Sequence, residues 1–372
     1  MGEQASGYVA NGFEKVFEQF NRNLADGLEL GAGFCVQIEG EVVVDLVGGY
    51  ADKAKETKWN DNTLVPVYST TKAIAGIVIA RLMDKGLLAF DDPIGKLWPE
   101  FEAHGKDVTI AQAMSHQAGV PGFVKPIDPA LWLEPPKIAA ELAKLEPMWE
   151  VGTKSGYHPL TWGYIVGELA MRAEGRSLGS HLREDICAPL GIDFWIGLPE
   201  TEHARCAQIE KPREAPALGE QSPEKIAAFW KPWSAPNRGG RDWREAEIPS
   251  ANGHGTAKSV ATLYGVFAND GEIRGQQIVS KPTMKEFTKE RIRGHDLVLP
   301  FDISWAAGVM INNNRFYGPN PRTLGHSGWG GSCGFGDPDL RIAGAYVMNK
   351  QSSSLAGDNR ATSLINALYD CL

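Results

Sequence analysis

Residues 66–86 read PVYSTTKAIAGIVIARLMDKG, and this stretch decides the reading of the whole chain. Residues 64–68 (LVPVY) look extended. From Ser69 onward the pattern is helical and ends at Gly86, a residue suited to the left-handed position after a helix. Ala73, Ile74, Ala75, Ile77, Val78 and Ile79 leave almost no polar face before Arg81, so the helix is predicted to be buried nearly all round. A core helix whose first turn carries Ser69 and Lys72 is unusual, because lysine is almost never fully buried unless paired. Serine and lysine three apart share a helix face. Burial depresses the amine pKa and makes it a base. The free N–H groups and positive dipole end of a helix N-terminus favour an oxyanion. Nucleophile, base and anion site therefore coincide. The plainer alternative is that Ser69 caps the helix and Lys72 snorkels. The same spacing recurs at Ser222 and Lys225, where only the plain reading applies: Ser222 caps a helix, Pro223 takes its first position and Lys225 faces solvent.

Upstream, Phe13, Val16, Phe17, Phe20 and Leu24 mark an amphipathic helix within residues 8–27. Residues 33–39 and 41–47 form two β-rich runs around a Glu-Gly pair, a hairpin pattern. Downstream, a short helix is expected within 106–118 and further helices over 136–145, 159–174 and 180–187. Residues 211–250 carry six prolines (Pro212, Pro216, Pro223, Pro232, Pro236, Pro249) and the tryptophans Trp230, Trp233 and Trp243. They read as a long irregular excursion with one short helix over 223–229, of the kind that lines a pocket or forms a lid. A helix over 257–270 is followed by β-rich segments at 305–311, 315–317, 323–327, 333–337 and 342–348, then a final helix over 359–370. The expected fold is α+β, one antiparallel β-sheet built from both chain ends and flanked by helices, with a helical region inserted. The expected divisions are 1–68 (helix and hairpin), 69–249 (mainly helical, with the 211–250 loop) and 250–372 (β meander and terminal helix).

The 372 residues are 43% hydrophobic and 22% charged, the balance of a globular protein with a sizeable core. A net charge of −9 without a basic stripe argues against a nucleic-acid partner. No apolar run approaches a membrane span, and the N-terminus lacks a secretory signal pattern. Its Met-Gly-x-x-x-Ser start matches an acylation pattern only superficially, with no polybasic patch beside it. Five scattered cysteines without metal-like spacing read as reduced thiols in a cytoplasmic protein. The eight histidines form no His-Glu-x-x-His pattern. No metal or organic cofactor is expected, and His116 and His254 are read as loop-stabilising.

Two more motifs bear on Ser69. Tyr157 lies in a Gly-rich loop before a helix, where a neighbouring Lys72 ammonium would favour its phenolate. His326-Ser327-Gly328-Trp329-Gly330-Gly331 follows a predicted strand, and glycine there lets a ligand approach the backbone. The Trp329 N–H is a candidate second oxyanion donor beside that of Ser69. His158 is an expected exposed loop histidine within reach of the cleft. Gly330-Gly331-Ser332-Cys333-Gly334 satisfies the nucleophile-elbow pattern, but a β-rich run follows it and no histidine occurs after His326, against what that motif needs.

These elements, in this order, resemble the serine β-lactamase and penicillin-binding-protein superfamily, and within it class C β-lactamases and family VIII carboxylesterases. The resemblance runs through VVVDLVGGYAD, PVYSTTKAIAGIVIARLMDKG, VTIAQAMSHQAGVPGF, VGTKSGYHP, SANGHGTAKSVATLYGVFANDGEI and GHSGWGGSCGFGDPDLRIAGAYVMNK. It implies a β-lactamase/transpeptidase-like fold, with Ser69 acylated, Lys72 as proton acceptor and Tyr157 assisting the leaving group. The Lys-Thr-Gly strand motif falls on His326-Ser327-Gly328, followed by Trp329-Gly330-Gly331; His326, Ser327, Gly328, Trp329 and Gly330, with His158 beside Tyr157, are the candidate substrate contacts. Pro159 replaces the asparagine of Tyr-x-Asn, and His326 replaces a lysine with a side chain largely neutral at pH 7. Both changes point to small-molecule esters without a carboxylate. The alternatives are a β-lactamase, a D-stereospecific peptidase or amidase, an acyltransferase, or a binding protein of the same fold that acylates without turning over.

Overall fold

The computed structural model describes residues 5–229 and 238–372. Trp230, Pro232, Trp233 and Pro236 of the proline-rich excursion, and the Met1-Gly2 start of the acylation pattern, lie outside the described residues.

The hairpin forms as its sequence requires. Strands β2 (Gly31–Ile38) and β3 (Glu41–Gly49) are joined by Glu39 and Gly40, both at positive φ (53° and 86°). That two-residue turn matches the right-handed twist of its strands. A strand not expected from the sequence, β1 (Ser6–Val9), pairs along β3. Gly7 is required there: at φ 126°, a Cβ would sit 2.0 Å from the Asp45 carbonyl oxygen.

The C-terminal strands are β4 (Ile292–His295), β5 (Asp302–Trp305), β6 (Met310–Ile311), β7 (Leu324–Ser327), β8 (Cys333–Asp337) and β9 (Ile342–Met348). The run at 305–311, expected as one strand, is two strands around a turn at Gly308 (φ 84°). Residues 315–317 are a turn rather than a strand, because the Asn312 side chain takes the Tyr317 N–H and donates to the Gly318 and Asn320 carbonyls. β9 lies antiparallel on β2 with Tyr346 opposite Phe34, which joins the two chain ends into one nine-stranded sheet, β1-β3-β2-β9-β8-β7-β6-β5-β4. The α+β architecture expected from the sequence is the one observed.

Helices α1 (Glu14–Ala25) and α5 (Asn359–Tyr369) pack against each other, over a core that includes Phe20, Phe34, Tyr346 and Leu364. On a second core lies α4 (Ala257–Ala268), across β9, β8 and β2. Close approach is possible because β8 carries Gly334, where a Cβ would meet the Tyr264 ring at 2.5 Å. Helix α2 (Thr71–Asp84), which follows Ser69 and carries Lys72, is enclosed by α3 (Thr161–Glu174), α4 and the shorter helices Leu178–Leu182 and Lys281–Phe287, with eleven of its fourteen residues buried. A small three-stranded sheet, Val65–Pro66 with His254–Gly255 and Phe194–Trp195, anchors the segment leading into Ser69. All five cysteines are free thiols. Among the described residues no helix is long and apolar enough to cross a membrane.

Candidate active site

Ser69 sits in a single tight turn, Tyr68–Thr70, that runs into α2. Tyr68 has φ 48°, a left-handed conformation that is strained for a bulky side chain and persists only where the surroundings impose it. They do so through several bonds. The Val67 N–H donates to the Gly253 carbonyl (2.9 Å), the Ser332 hydroxyl donates to the Val67 carbonyl (2.8 Å) and contacts the Thr70 hydroxyl (3.1 Å), and Tyr264 donates to the Thr70 carbonyl (2.8 Å). The elbow-like serine Ser332 is therefore a buried clamp under the turn, while Ser69 is half-buried and accessible. The second Ser-x-x-Lys pair also takes its plain reading: Ser222 Oγ accepts the Lys225 N–H at 3.3 Å ahead of the helix Pro223–Phe229.

Lys72 is fully buried, and burial holds its amine well below the ordinary lysine range. Its Nζ lies 2.8 Å from the Pro159 carbonyl, 3.0 Å from the Ser250 carbonyl and 3.3 Å from Ser69 Oγ. Carbonyl oxygens only accept. In its neutral form the amine would spend both hydrogens on them and turn its lone pair to the Ser69 hydroxyl.

Tyr157 lines the same cavity as Ser69. Its ring stacks on Trp305 (centroids 5.8 Å apart, 7° between planes) and lies 4.8 Å from the Lys72 Nζ. The phenolate expectation is corrected by the environment. Burial, together with the Asp296 charge, pushes the phenol above its ordinary range, and burial likewise disfavours the ammonium of the neighbouring lysine that would have drawn out the phenolate. Asp296, not singled out in the sequence, holds this loop. Its Oδ1 accepts the N–H groups of Tyr157 (2.8 Å), Val298 and Leu299 (2.9 Å each), and its Oδ2 accepts the Trp305 indole N–H at 3.4 Å. The local half of this cage is an Asx-type turn, a signal present in the sequence. The Tyr157 contact spans 139 residues and has no local signal.

His326, at the end of β7, lines the same cavity with Ser327 and Trp329. Burial lowers its pKa to about 3, so the ring is neutral. Its Nδ1 lies 2.8 Å from the Ser327 carbonyl and must be the protonated nitrogen. Nε2 is therefore a bare acceptor, buried and without a partner among the described residues. Gly328 is fixed by close approach, since a Cβ would lie 2.2 Å from the Val67 carbonyl and from Ser332 Oγ. Gly330 (φ 89°) does not line the cavity. Its carbonyl accepts from Arg360, part of a buried ion cluster with Asp358 and Glu29 beneath the turn. Among the described residues, neither the Ser69 nor the Trp329 main-chain N–H makes a hydrogen bond.

His158 departs from its expected place. It is buried, its Nδ1 donates to the Gly156 carbonyl (2.5 Å) and its Nε2 accepts the Val120 N–H (3.1 Å). With both nitrogens used on backbone it braces the loop instead of lining the cleft. His116 is a loop residue at φ 65°, with Nδ1 accepting the His158 N–H. The cavity itself, about 200 Å³, is walled by Leu160, Leu299, Phe301, Trp305 and Met310 and, from the 211–250 excursion, by Pro216, Leu218, Phe229 and Trp243. The tightest histidine–carboxylate group among the described residues, Glu174, His181 and Asp185, already holds the side-chain cations Lys85 and Arg176.

The family model described as Beta-lactamase matches residues 20–367. The chain is 32% identical over 348 residues to the esterase/beta-lactamase LipL of Mycobacterium tuberculosis, covering 89% of this chain and 80% of that relative. Two solved structures superpose closely. A penicillin-binding-protein homologue from Caulobacter crescentus has a TM-score of 0.97 at 50% identity, covering 99% of this chain and all of that one. A family VIII carboxylesterase has a TM-score of 0.94 at 40% identity, with the same coverage.

Proposed function

The chain belongs to the beta-lactamase family, and from that premise we propose that it is a serine hydrolase cleaving carboxylic esters through an acyl-enzyme on Ser69, with Lys72 and Tyr157 moving the protons. The observation that carries the reading is the place of Lys72: fully buried, its Nζ held by the Pro159 and Ser250 carbonyls within 3.3 Å of Ser69 Oγ, with burial holding its amine well below the ordinary lysine range. Ser69 Oγ attacks the ester carbon as its proton passes to Lys72 Nζ, which becomes an ammonium steadied by the Pro159 and Ser250 carbonyls. The free N–H groups of Ser69 and Trp329 are the donors for the oxyanion. When the C–O bond breaks, the alkoxide takes the phenol proton of Tyr157, and the phenolate is reprotonated from Lys72. Water then attacks the acyl group, gives a proton to Lys72, and Ser69 recovers its own as the acid leaves.

Pro159 offers no side-chain amide, and His326 offers a lone pair in place of a cation. Both favour substrates uncharged next to the reacting carbonyl, and the apolar walls favour an apolar body. Steady-state hydrolysis of p-nitrophenyl butyrate by wild type and Ser69→Ala, with mass spectrometry of the acyl adduct, tests the reading. Turnover lost in the variant and an acyl group mapped to Ser69 support it, whereas equal activity of the two proteins removes Ser69 from the mechanism. A second reading, turnover of β-lactams, is favoured by the name of the M. tuberculosis relative and is tested with a chromogenic cephalosporin on the same two proteins.

A further inference from the structure

Beside the catalytic cavity lies a second cleft of about 610 Å³. The two share Tyr68, Ala215, Pro216, Arg238 and Trp329 among their lining residues, so they adjoin. Their chemistry is opposite. The inner cavity has one charged lining residue, Arg238, at its rim. The outer cleft is lined by Lys211, Arg213, Arg238 and Arg244 against one acid, Glu214, in a chain whose net charge is −9. Other surface arginines, Arg172, Arg176, Arg205 and Arg241, each hold a carboxylate. None of the four cleft cations makes an ion pair or a side-chain hydrogen bond among the described residues. Unpaired cations gathered in a concave wall focus a positive potential that attracts an anion, and guanidinium forks suit carboxylate and phosphate oxygens.

We propose that this outer cleft binds an anionic group, carboxylate or phosphate, carried at the far end of the ester whose carbonyl lies at Ser69. This rests on the ester-hydrolase reading and deepens it: the substrate is amphiphilic, apolar around the scissile bond and anionic at a distance. It also accounts for the placement of charge in the site. The cation missing beside the reacting carbonyl, where His326 stands, is supplied in the adjoining cleft instead.

Two matched ester pairs test the proposal at low and high NaCl. The mono-p-nitrophenyl ester of suberic acid, against its methyl-capped form, puts the anion on the acyl arm. The butyrate ester of 4-hydroxybenzoate, against that of its methyl ester, puts it on the alcohol arm. The expected result is a kcat/KM ratio of anionic to neutral ester of roughly tenfold in at least one pair, falling with salt. The ratio should drop several-fold in both Arg238→Gln/Arg244→Gln and Lys211→Gln/Arg213→Gln. Ser69-dependent turnover with ratios at or below one in both pairs overturns the proposal and leaves the esterase reading standing. Tryptophan fluorescence titration of Ser69→Ala with octyl phosphate, octanoate and octanol separates the two claims where no ester is turned over, and distinguishes phosphate from carboxylate. Tighter, salt-sensitive binding of either anion supports the cleft; binding no tighter than octanol refutes it.

Discussion

Replacing Asp296 isolates what holds Tyr157 over Ser69. The carboxylate is fully buried, and four N–H donors converge on it: three from the backbone, at 2.8–2.9 Å, and the Trp305 indole at 3.4 Å. In Asp296→Asn the remaining oxygen can stay over the three backbone donors, but the new amide hydrogens then oppose the Trp305 N–H. Hydrogen bonds to a charged acceptor contribute about 1 kcal/mol more each than neutral ones, so three weakened bonds predict a loss of about 3 kcal/mol. In Asp296→Ala the four donors lose their acceptor at about 1–3 kcal/mol each, a large part of a typical domain stability of about 5–15 kcal/mol. The asparagine variant is therefore the one to measure. Urea denaturation gives the stability change. Ester hydrolysis is expected to show kcat down about 10- to 100-fold with KM little changed, the signature of the transition-state role proposed for Tyr157. The charge that helps raise the Tyr157 pKa is also removed, so its ionisation should fall toward the ordinary tyrosine range, readable by ultraviolet titration. A variant within about 0.5 kcal/mol of wild type, with unchanged kcat and phenol titration, would show that Asp296 neither positions nor tunes Tyr157.

Four further outcomes are expected. Lys72 must be neutral to accept a proton and its pKa is depressed, so kcat/KM should fall as pH drops through a value below the ordinary lysine range, while Tyr157, pushed upward, adds no basic limb below its ordinary range. Because the folded state disfavours the Lys72 ammonium, unfolding takes up a proton between the folded and unfolded pKa values. Wild-type stability relative to Lys72→Met should therefore rise with pH toward the ordinary lysine range, by about 1.4 kcal/mol per unit of depression; a pH-independent difference in denaturation midpoints would contradict a buried neutral amine. Ser332→Ala should keep the nucleophile and its acyl adduct yet cost about 1–2 kcal/mol by denaturation, since it removes the clamp on the Val67 carbonyl. Gly328→Ala forces a Cβ to within 2.2 Å of the Val67 carbonyl. It should displace the Trp329 N–H and lower kcat about 100-fold if that N–H stabilises the oxyanion.

The hairpin, the buried helix α2 and the capped helix Pro223–Phe229 were legible because their causes are local: a left-handed Glu-Gly turn, an apolar run closed by Gly86, a serine before a proline. The family resemblance carried the order of the motifs. The edge strand β1 was not legible, because Ser-Gly-Tyr-Val is short and owes its conformation to the free side of β3. Nor was the turn at 315–317, which a side chain three to five residues away holds out of the sheet.

At the site the division follows the same line. The sequence by itself determined that a serine and a lysine share the first turn of a core helix, because helical period and apolar content are properties of the segment. Only the tertiary structure decided their electrical states. The Lys72 amine is shifted down and the Tyr157 phenol up by burial, and His326 is an acceptor because its Nδ1 proton goes to the Ser327 carbonyl. The same holds for His158, turned inward by Gly156 and Val120, and for the four cleft cations brought together from residues 211–244. Protonation in a low-dielectric site depends on desolvation and on partners distant in the chain, and those exist only once the chain has closed around them.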